Sequence, residues 1–493
     1  MSKDRLYGVG LFLVAFALRI TAAFAFAGEP VWDGHYYDFG AHRIAGGFGY
    51  SDDRMVGDQA VWHPWCHYPV GYSAYLSIFY RVFAWAASHQ LFDARASAAH
   101  YANAFVGALL PLFTFLLARE ILSARRARVA GAIVALHPGL VMYGALVMSE
   151  PLSSVLVLAA FWVSLVTSKQ ERFAARLGSF GWLAGPIAGA LVLGVGVLVR
   201  PQALLCAPFL GLAATRRSSA LKRLGAGVIA CAATLLPVLP WTARNCAVMD
   251  GCALVSTNAG WNLAIGALPR ATGRFVTLHA EDGCRDVVGQ VQQDRCWLAI
   301  GVAEIEKTPG RWLALVPAKL AQTFDHESFV VGYLSESRPA LWPESRRAAT
   351  RGFLTLMHRM LVVGAAFACV GFALPRRKTK SDEAVWRART TQTGLLGVVA
   401  ILAYAATAHS PSTFWPVVIL GCVLPWIPFP GRPETRPGLL MLTGFIATTA
   451  IAHAIFFGED RYHVVVIPAL AILAAAALRR PKLPSPGLPD TDP

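Results

Sequence analysis

About a dozen stretches of roughly 20 apolar residues recur along this chain, each close to the length a helix needs to cross the hydrocarbon core of a bilayer. They lie at about 6–27, 97–118, 129–147, 150–167, 181–199, 202–215, 224–241, 353–374, 391–408, 413–428, 437–457 and 462–478. Two of them, 202–215 and 413–428, are short, which leaves a count of about 11 to 13 spans. Only 15% of the residues are charged, against about 25% in soluble domains. The reading is an all-α polytopic membrane protein of about 12 transmembrane helices, with two long extracytoplasmic loops carrying surface helices.

The first run follows Lys3 and Arg5, and its end, Ala25-Phe26-Ala27, resembles a signal-peptide cleavage site. The run is nevertheless long enough to span and contains Arg19, so a retained first helix is expected. An ionisable residue at that depth calls for a role, and a polar cavity is the expected surrounding of Arg19.

The net charge of +15 would suggest nucleic acid in a soluble chain. Here the basic residues sit in alternate short connections: Arg125-Arg126-Ala127-Arg128, Lys169 with Arg172 and Arg176, Arg216-Arg217 with Lys222-Arg223, Arg376-Arg377-Lys378 with Arg387 and Arg389, Arg432 with Arg436, and Arg479-Arg480 with Lys482. The intervening connections, around Glu150, Arg200, His409 and Arg461, hold few. This is the positive-inside pattern. It predicts a multi-pass protein of the plasma (inner) membrane with both termini cytoplasmic, the segments 28–96 and 242–352 outside, and no nucleic-acid partner. The expected organisation is an N-terminal membrane module, 1–241, with about seven spans; an outer loop, 242–352; a C-terminal membrane module, 353–480, with about five spans; and a Pro-rich, disordered cytoplasmic tail, 481–493. Amphipathic stretches at Tyr68 to Trp85 and Cys296 to Leu320 are expected to lie on the membrane surface.

Of the nine cysteines, Cys206, Cys231, Cys369 and Cys422 fall within spans as small apolar fillers. Cys246, Cys252, Cys284 and Cys296 share the second outer loop, where an oxidising compartment permits disulfides. Pairing Cys246 with Cys252 and Cys284 with Cys296 is the economical choice among three connectivities. Cys66 is left over.

Polar residues gather at the outer ends of spans. Asp33 follows the first span and is trailed by aromatics, an arrangement that suits a general base acting on a hydroxyl in a surface cleft. Glu150 lies on the same side, with Ser149 as its alternative role of helix cap. Arg200, Lys319 and Arg461 offer fixed positive charge there, which a departing phosphate needs and which lipid headgroups would also attract. His63, Cys66 and His67, with Asp33 or His35, invite a metal reading, but Pro64 and Pro69 break the helix face such spacing would need. No metal ligand and no cofactor is assigned, and a divalent metal is left open. The chain lacks the phosphate-cradling Gly loop, C-x-x-C pair and G-x-S-x-G elbow of ATP-driven or serine-hydrolase chemistry.

An ordered set of features then resembles the GT-C glycosyltransferases, multispanning enzymes that use polyprenyl-phosphate sugars; the protein O-mannosyltransferases and lipid A aminoarabinose transferases are close in pattern. The set comprises Asp33 with Tyr36, Tyr37, Ala41 and Gly46-Gly47; Tyr68 to Tyr72; His137-Pro138; Ser149 to Leu152; Arg200-Pro201; Arg244-Asn245; Ser256 to Leu263; and Arg461-Tyr462 with Pro468. The resemblance implies inverting sugar transfer on the extracytoplasmic face, from a polyprenyl-phosphate donor to an envelope glycan, lipid or protein. It implies Asp33 as base, Glu150 orienting the acceptor, Arg200, Lys319 and Arg461 on the donor phosphate, and His35, Tyr36, Asp38, His67, Asn258, Trp261 and Asn262 around the substrates. The pattern departs from many relatives at Gly34, where they carry a second acid. A secondary transporter or lipid flippase is the alternative, and a scaffold for envelope assembly a further one.

Overall fold

Pro138 and Pro237 break two of the expected spans, and the packing around each break organises the membrane region. In the computed structural model, which describes residues 3–88, 98–170, 178–214, 219–372, a few positions between 386 and 400, 415–426 and 437–478, seven helices are long and apolar enough to cross a membrane. They are Lys3–Phe26, Ala98–Ile121, Glu150–Thr167, Gly178–Val199, Glu344–Cys369, Pro437–Ile455 and Asp460–Ala477. Two bent pairs raise the number to nine: Ala124–Leu136 with Pro138–Ala145, bent by 52°, and Ala220–Leu235 with Leu239–Val248, bent by 47°. The 202–215 run is a shorter apolar helical stretch, Pro201–Ala213, and 413–428 is described only as Trp415–Val423 and the turn after it. Most of the 391–408 run, the tail 481–493 and many of the basic connections, including Arg172, Arg176, Arg216, Arg217, Arg376, Arg377, Lys378, Arg432 and Arg436, lie outside the described residues. The chain is a multi-pass helical membrane protein.

The first break shows why Arg19 is tolerated in the first helix. A residue before proline is pushed out of the helical region, and His137 is extended, at φ −60° and ψ 117°. The carbonyls at the end of Ala124–Leu136 therefore lose their helical partners. Arg19 is fully buried and supplies them, donating to the carbonyls of Val134 at 3.1 Å and Ala135 at 3.1 Å, and to Ala15 in its own helix at 3.2 Å. The expectation of a polar cavity around Arg19 is thus corrected: its surroundings are backbone carbonyls, which in a lipid-excluded interior have no other donor.

Outside the spans the structure is small and tightly tied. The helix Asp33–Ala45 packs on Val70–Ser88, a helix that falls on the aromatic stretch Tyr68 to Trp85. Between them a two-stranded antiparallel hairpin, Ser51–Val56 with Gln59–Pro64, turns at Gly57, whose φ of 62° suits the first position of a tight hairpin turn. This hairpin is the one departure from all-helical structure among the named elements. In the second loop, Ala259–Ala267 packs on Gln290–Lys307, and disulfides join Cys246 to Cys252 and Cys284 to Cys296. Cys66 is unpaired and buried. A separate apolar cluster of Ile265, Leu278, Cys284 and Trp297 includes Phe457 and Tyr462 from the start of the last span, so this loop is seated on the membrane bundle. The expected surface helix 296–320 is instead divided, because Pro309 and Pro317 each begin a new helix, Pro309–Ala314 and Val316–Phe324. The next span starts earlier than expected, at Glu344.

Replacing Arg19 by Met would leave the carbonyls of Val134 and Ala135 without donors, at about 1–3 kcal/mol for each. The expected outcome is a lower melting temperature of the purified protein in detergent, followed by circular dichroism, with the secondary-structure content at low temperature unchanged.

Candidate active site

Five separate segments converge on one cavity of about 610 Å³ at the ends of the spans. Its walls come from Asp33 and Tyr37, from His67-Tyr68-Pro69, from Arg200-Pro201-Gln202, from Asn258, Trp261 and Asn262, and from Phe456-Phe457 with Arg461-Tyr462. Its volume falls in the range of small-molecule sites.

Asp33 enters the cavity because of the turn before it. Trp32 holds a φ of 53°, sparsely populated for a bulky residue, and its ring is held against Phe329 and Tyr333, at centroid distances of 5.5 and 5.8 Å. Asp33 then begins the helix Asp33–Ala45, where a carboxylate suits the positive end of the helix dipole. Its Oδ2 accepts from Arg461 Nη1 at 2.5 Å and its Oδ1 from the Tyr68 hydroxyl at 3.0 Å. Burial pushes the Asp33 carboxyl upward, but the Arg461 charge, with the hydrogen bonds from Arg461 and Tyr68, outweighs it, and the group sits below the usual carboxylate range. Burial and the Asp33 charge drive the Tyr68 phenol well up, so it remains a donor. Burial holds the His67 imidazole below its ordinary value, hence neutral.

Gly34 has a steric explanation. A Cβ there would lie 2.4 Å from the Tyr333 hydroxyl and 2.8 Å from the Val147 carbonyl oxygen, so the position that is acidic in many resembling sequences has no room for a side chain.

A second ion pair lies beside the first. Arg200 Nη1 donates to Glu150 Oε1 at 2.7 Å and to Ser149 Oγ at 3.1 Å, and its guanidinium stands 5.5 Å from the Tyr462 ring centroid. Arg461 in turn bridges Asp33 and Glu459, whose Oε2 is 2.6 Å from its Nε. Two guanidinium groups are therefore matched against three carboxylates, Asp33, Glu150 and Glu459. Burial raises the Glu459 carboxyl above its usual value against the pull of Arg461. Asp460, next in sequence, turns away and accepts from the backbone N–H groups of Ser328 and Phe329, fixing the start of the helix Phe329–Ser337.

Of the residues expected from sequence, Asp33, Arg200, Arg461, His67, Asn258, Trp261 and Asn262 line the cavity. Glu150 lies behind Arg200, fully buried. Lys319 falls elsewhere: its Nζ donates to the Ile455 carbonyl at 3.0 Å, closing the end of the helix Pro437–Ile455, and stands 5.0 Å from the Trp312 ring. Burial, and then Arg311, push its ammonium down to about 8. Asp38 lines a different cavity, of about 840 Å³, and is bound by the Tyr80 hydroxyl and His42. His35 and Tyr36 are exposed and outside the cavity lining, Tyr36 stacking on the cavity residue Tyr68 at 5.2 Å. The suggested metal grouping does not assemble, since His63 pairs with Asp52 at 2.7 Å, Cys66 contacts Thr257, and His67 lies edge-on to Trp261. Sequence reading missed Glu459 and also His453, which stacks on Tyr462 at 3.8 Å; the acid two residues before Arg461 was the one available signal.

Fold and cavity together define a multi-pass helical membrane protein with a charged, aromatic-walled cavity at its helix ends. Residues 80–241 match the family described as dolichyl-phosphate-mannose-protein mannosyltransferase, so the resemblance read from sequence holds over that segment. Among solved structures, the chain is similar to the Archaeoglobus fulgidus oligosaccharyltransferase tethered with an acceptor peptide, at 14% identity and a TM-score of 0.47, over 96% of this chain and 49% of that one. It is also similar to ArnT from Cupriavidus metallidurans bound to undecaprenyl phosphate, at 14% identity and a TM-score of 0.35, over 94% of this chain and 77% of that one. The chain spans about half the length of the oligosaccharyltransferase structures it matches. No curated protein matches the sequence.

Gly34→Ala is expected to cost about 1–3 kcal/mol by overpacking and to displace Asp33. Gly34→Asp, which recreates an acidic pair, should be worse rather than a gain. Thermal melting of both variants in detergent checks the order wild type, Gly34→Ala, Gly34→Asp.

Proposed function

We propose that this chain is a membrane glycosyltransferase that moves a sugar from a polyprenyl-phosphate donor to an envelope glycan, lipid or protein. The observation that carries the reading is the cavity itself: a carboxylate held at 2.5 Å from a guanidinium, a second arginine alongside, and aromatic walls. The family match over 80–241 favours transfer over transport or flipping. The alternating basic connections support an extracytoplasmic cavity with both termini cytoplasmic, and a division into membrane modules 1–241 and 353–480 around the loop 242–352.

In the proposed reaction the donor's isoprenoid lies along the spans and its sugar phosphate enters the cavity. The acceptor oxygen attacks the anomeric carbon while the bond to the phosphate oxygen breaks, which inverts the configuration. Asp33 takes the acceptor proton, and the phosphate departs with the bonding electrons towards Arg461 and Arg200. Trp261 and His67 offer an apolar face to the sugar ring; Asn258 and Asn262 offer hydrogen bonds. Glu150 acts through Arg200, as a positioning residue.

The resting ion pair gives this sequence an order. While Arg461 is bound to Asp33, the carboxylate is a poor base. A donor phosphate competes for Arg461, and as that pair loosens, burial acts on Asp33 with only Tyr68 and Arg200 opposing it and raises its basicity. In the free protein Asp33 lies below the usual carboxylate range, so kcat/KM should show no acidic limb from Asp33 above about pH 4. In the complex the group titrates higher, so the acidic limb of kcat should lie at higher pH than that of kcat/KM. Identical limbs would remove the exchange step.

The test of the function is release of polyprenyl phosphate by purified protein in nanodiscs, given a panel of polyprenyl-phosphate sugars and broken-envelope extract, followed by mass spectrometry. Asp33→Asn is expected to fold normally and lower release by orders of magnitude. Near-normal release from that variant would exclude Asp33 as the base.

A further inference from the structure

Immediately behind the Arg461 segment lies a second group of polar residues that the proposed sugar transfer does not use. Glu327, His358 and His463 are 2%, 0% and 0% exposed. One ligand atom from each lies within 4.8 Å of the others. Neither oxygen of the Glu327 carboxylate has a hydrogen-bond partner among the described residues; nor do His463 Nε2 and His358 Nδ1. Burying such groups unsatisfied is costly, and a carboxylate far more so.

The outward nitrogens fix the tautomers. His463 Nδ1 lies 2.7 Å from the Thr323 carbonyl oxygen, and His358 Nε2 lies 2.8 Å from that of Phe324. A carbonyl oxygen only accepts, so each of those nitrogens carries a proton, and the inward nitrogens of the neutral rings present lone pairs. Two lone pairs and a carboxylate are thereby brought close together, on rings that stack at a centroid distance of 3.9 Å. His463 Nε2 is 3.8 Å from Glu327 Oε2, too long for a hydrogen bond. An imidazole anchored through its far N–H to a carbonyl, with its near nitrogen bare, is the usual arrangement of a metal-bound histidine.

His137 completes the surroundings. Its Nδ1 accepts from the Leu140 N–H at 3.4 Å, which leaves its Nε2 as the protonated nitrogen, 3.9 Å from Glu327 Oε2. It is a further polar neighbour of the same carboxylate oxygen, at a distance beyond a hydrogen bond. Gly139 makes the space: a Cβ there would lie 1.6 Å from Glu327 Oε1.

We propose that Glu327, His358 and His463 bind one divalent transition-metal ion, and that the two-imidazole, one-carboxylate donor set selects Zn²⁺, with water as the fourth ligand. The ion ties the span Glu344–Phe372, through His358, to the turn Asp460–Val466, through His463, and to the loop before Phe329–Ser337, through Glu327. Arg461 lies two residues from His463, and Asp460 already holds the same loop through the N–H groups of Ser328 and Phe329. The metal is therefore a clamp that sets the position of Arg461. The inference stands independently of whether the cavity transfers a sugar.

The experiment uses the full chain, expressed in zinc-supplemented medium and purified in detergent without chelator. Elemental mass spectrometry should find about one zinc per chain, and chelation should lower the melting temperature, with Zn²⁺ but not Mg²⁺ restoring it. Chelated protein given Co²⁺ should show the visible bands of a tetrahedral site. Glu327→Gln and His358→Gln should lose the metal, whereas His63→Ala, altered at a half-buried histidine outside the cluster, should keep it. Because the cluster variants could unfold, the wild-type cobalt spectrum and the chelation melt decide the matter independently of them. Folded wild-type protein that takes up neither zinc nor cobalt overturns the proposal, as do folded Glu327→Gln and His358→Gln proteins that retain a full equivalent of metal.

Discussion

The ion pair between Asp33 and Arg461 joins residues 428 positions apart, and the geometry of the cavity follows from it. Taking both charges out of water is expensive, and the cost is recovered only when geometry is good and the remaining hydrogen-bonding capacity is met. Here Tyr68 donates to the other Asp33 oxygen, and Glu459 sets a second carboxylate against Arg461. Each partner is also held from behind. Asp33 is set by the unusual backbone of Trp32 and by Gly34, which lets the helix approach Tyr333 and Val147. Arg461 is set by Asp460, which anchors the turn to the start of Phe329–Ser337.

Much of this was legible in the sequence, for definite reasons. Apolar length marks spans, and alternating basic clusters suggest sidedness, because both respond to the bilayer rather than to tertiary detail. Asp33, Arg200, Arg461, His67 and the Asn258 to Asn262 segment could be singled out because each sits at a span end or beside aromatics. What could not be read was pairing. Lys319 has the same composition cues as Arg461, yet it is directed to a carbonyl at the end of Pro437–Ile455. Asp38 lies five residues after Asp33 and so faces another side of the same short helix. Arg19 looked like a cavity residue because nothing in sequence says that a proline-broken helix elsewhere leaves carbonyls in need of it. The cluster of Glu327, His358 and His463 draws on three distant segments with no ligand spacing at all.

The balance of charge in the cavity has a consequence for ligand choice. With each arginine already paired, the resting site offers no bare cation to headgroups or inorganic anions passing the membrane surface. A phosphate must compete with Asp33 or Glu150 to enter, and a ligand carrying further apolar and ring contacts along the spans and the aromatic wall is favoured in that competition. In the proposed transferase the same exchange that admits the donor releases the base. Specificity and activation would then be two results of one rearrangement.

The most direct measurement of that idea is the affinity of polyprenyl phosphate, without a sugar, for the wild-type protein and for Asp33→Asn in nanodiscs, since binding can be read without any turnover. Removing the carboxylate frees Arg461 for the phosphate, so the account predicts that Asp33→Asn binds more tightly, by about tenfold, equivalent to about 1.4 kcal/mol. Equal or weaker binding by a folded Asp33→Asn protein would contradict it, because Arg461 would then not be shared between the carboxylate and the phosphate.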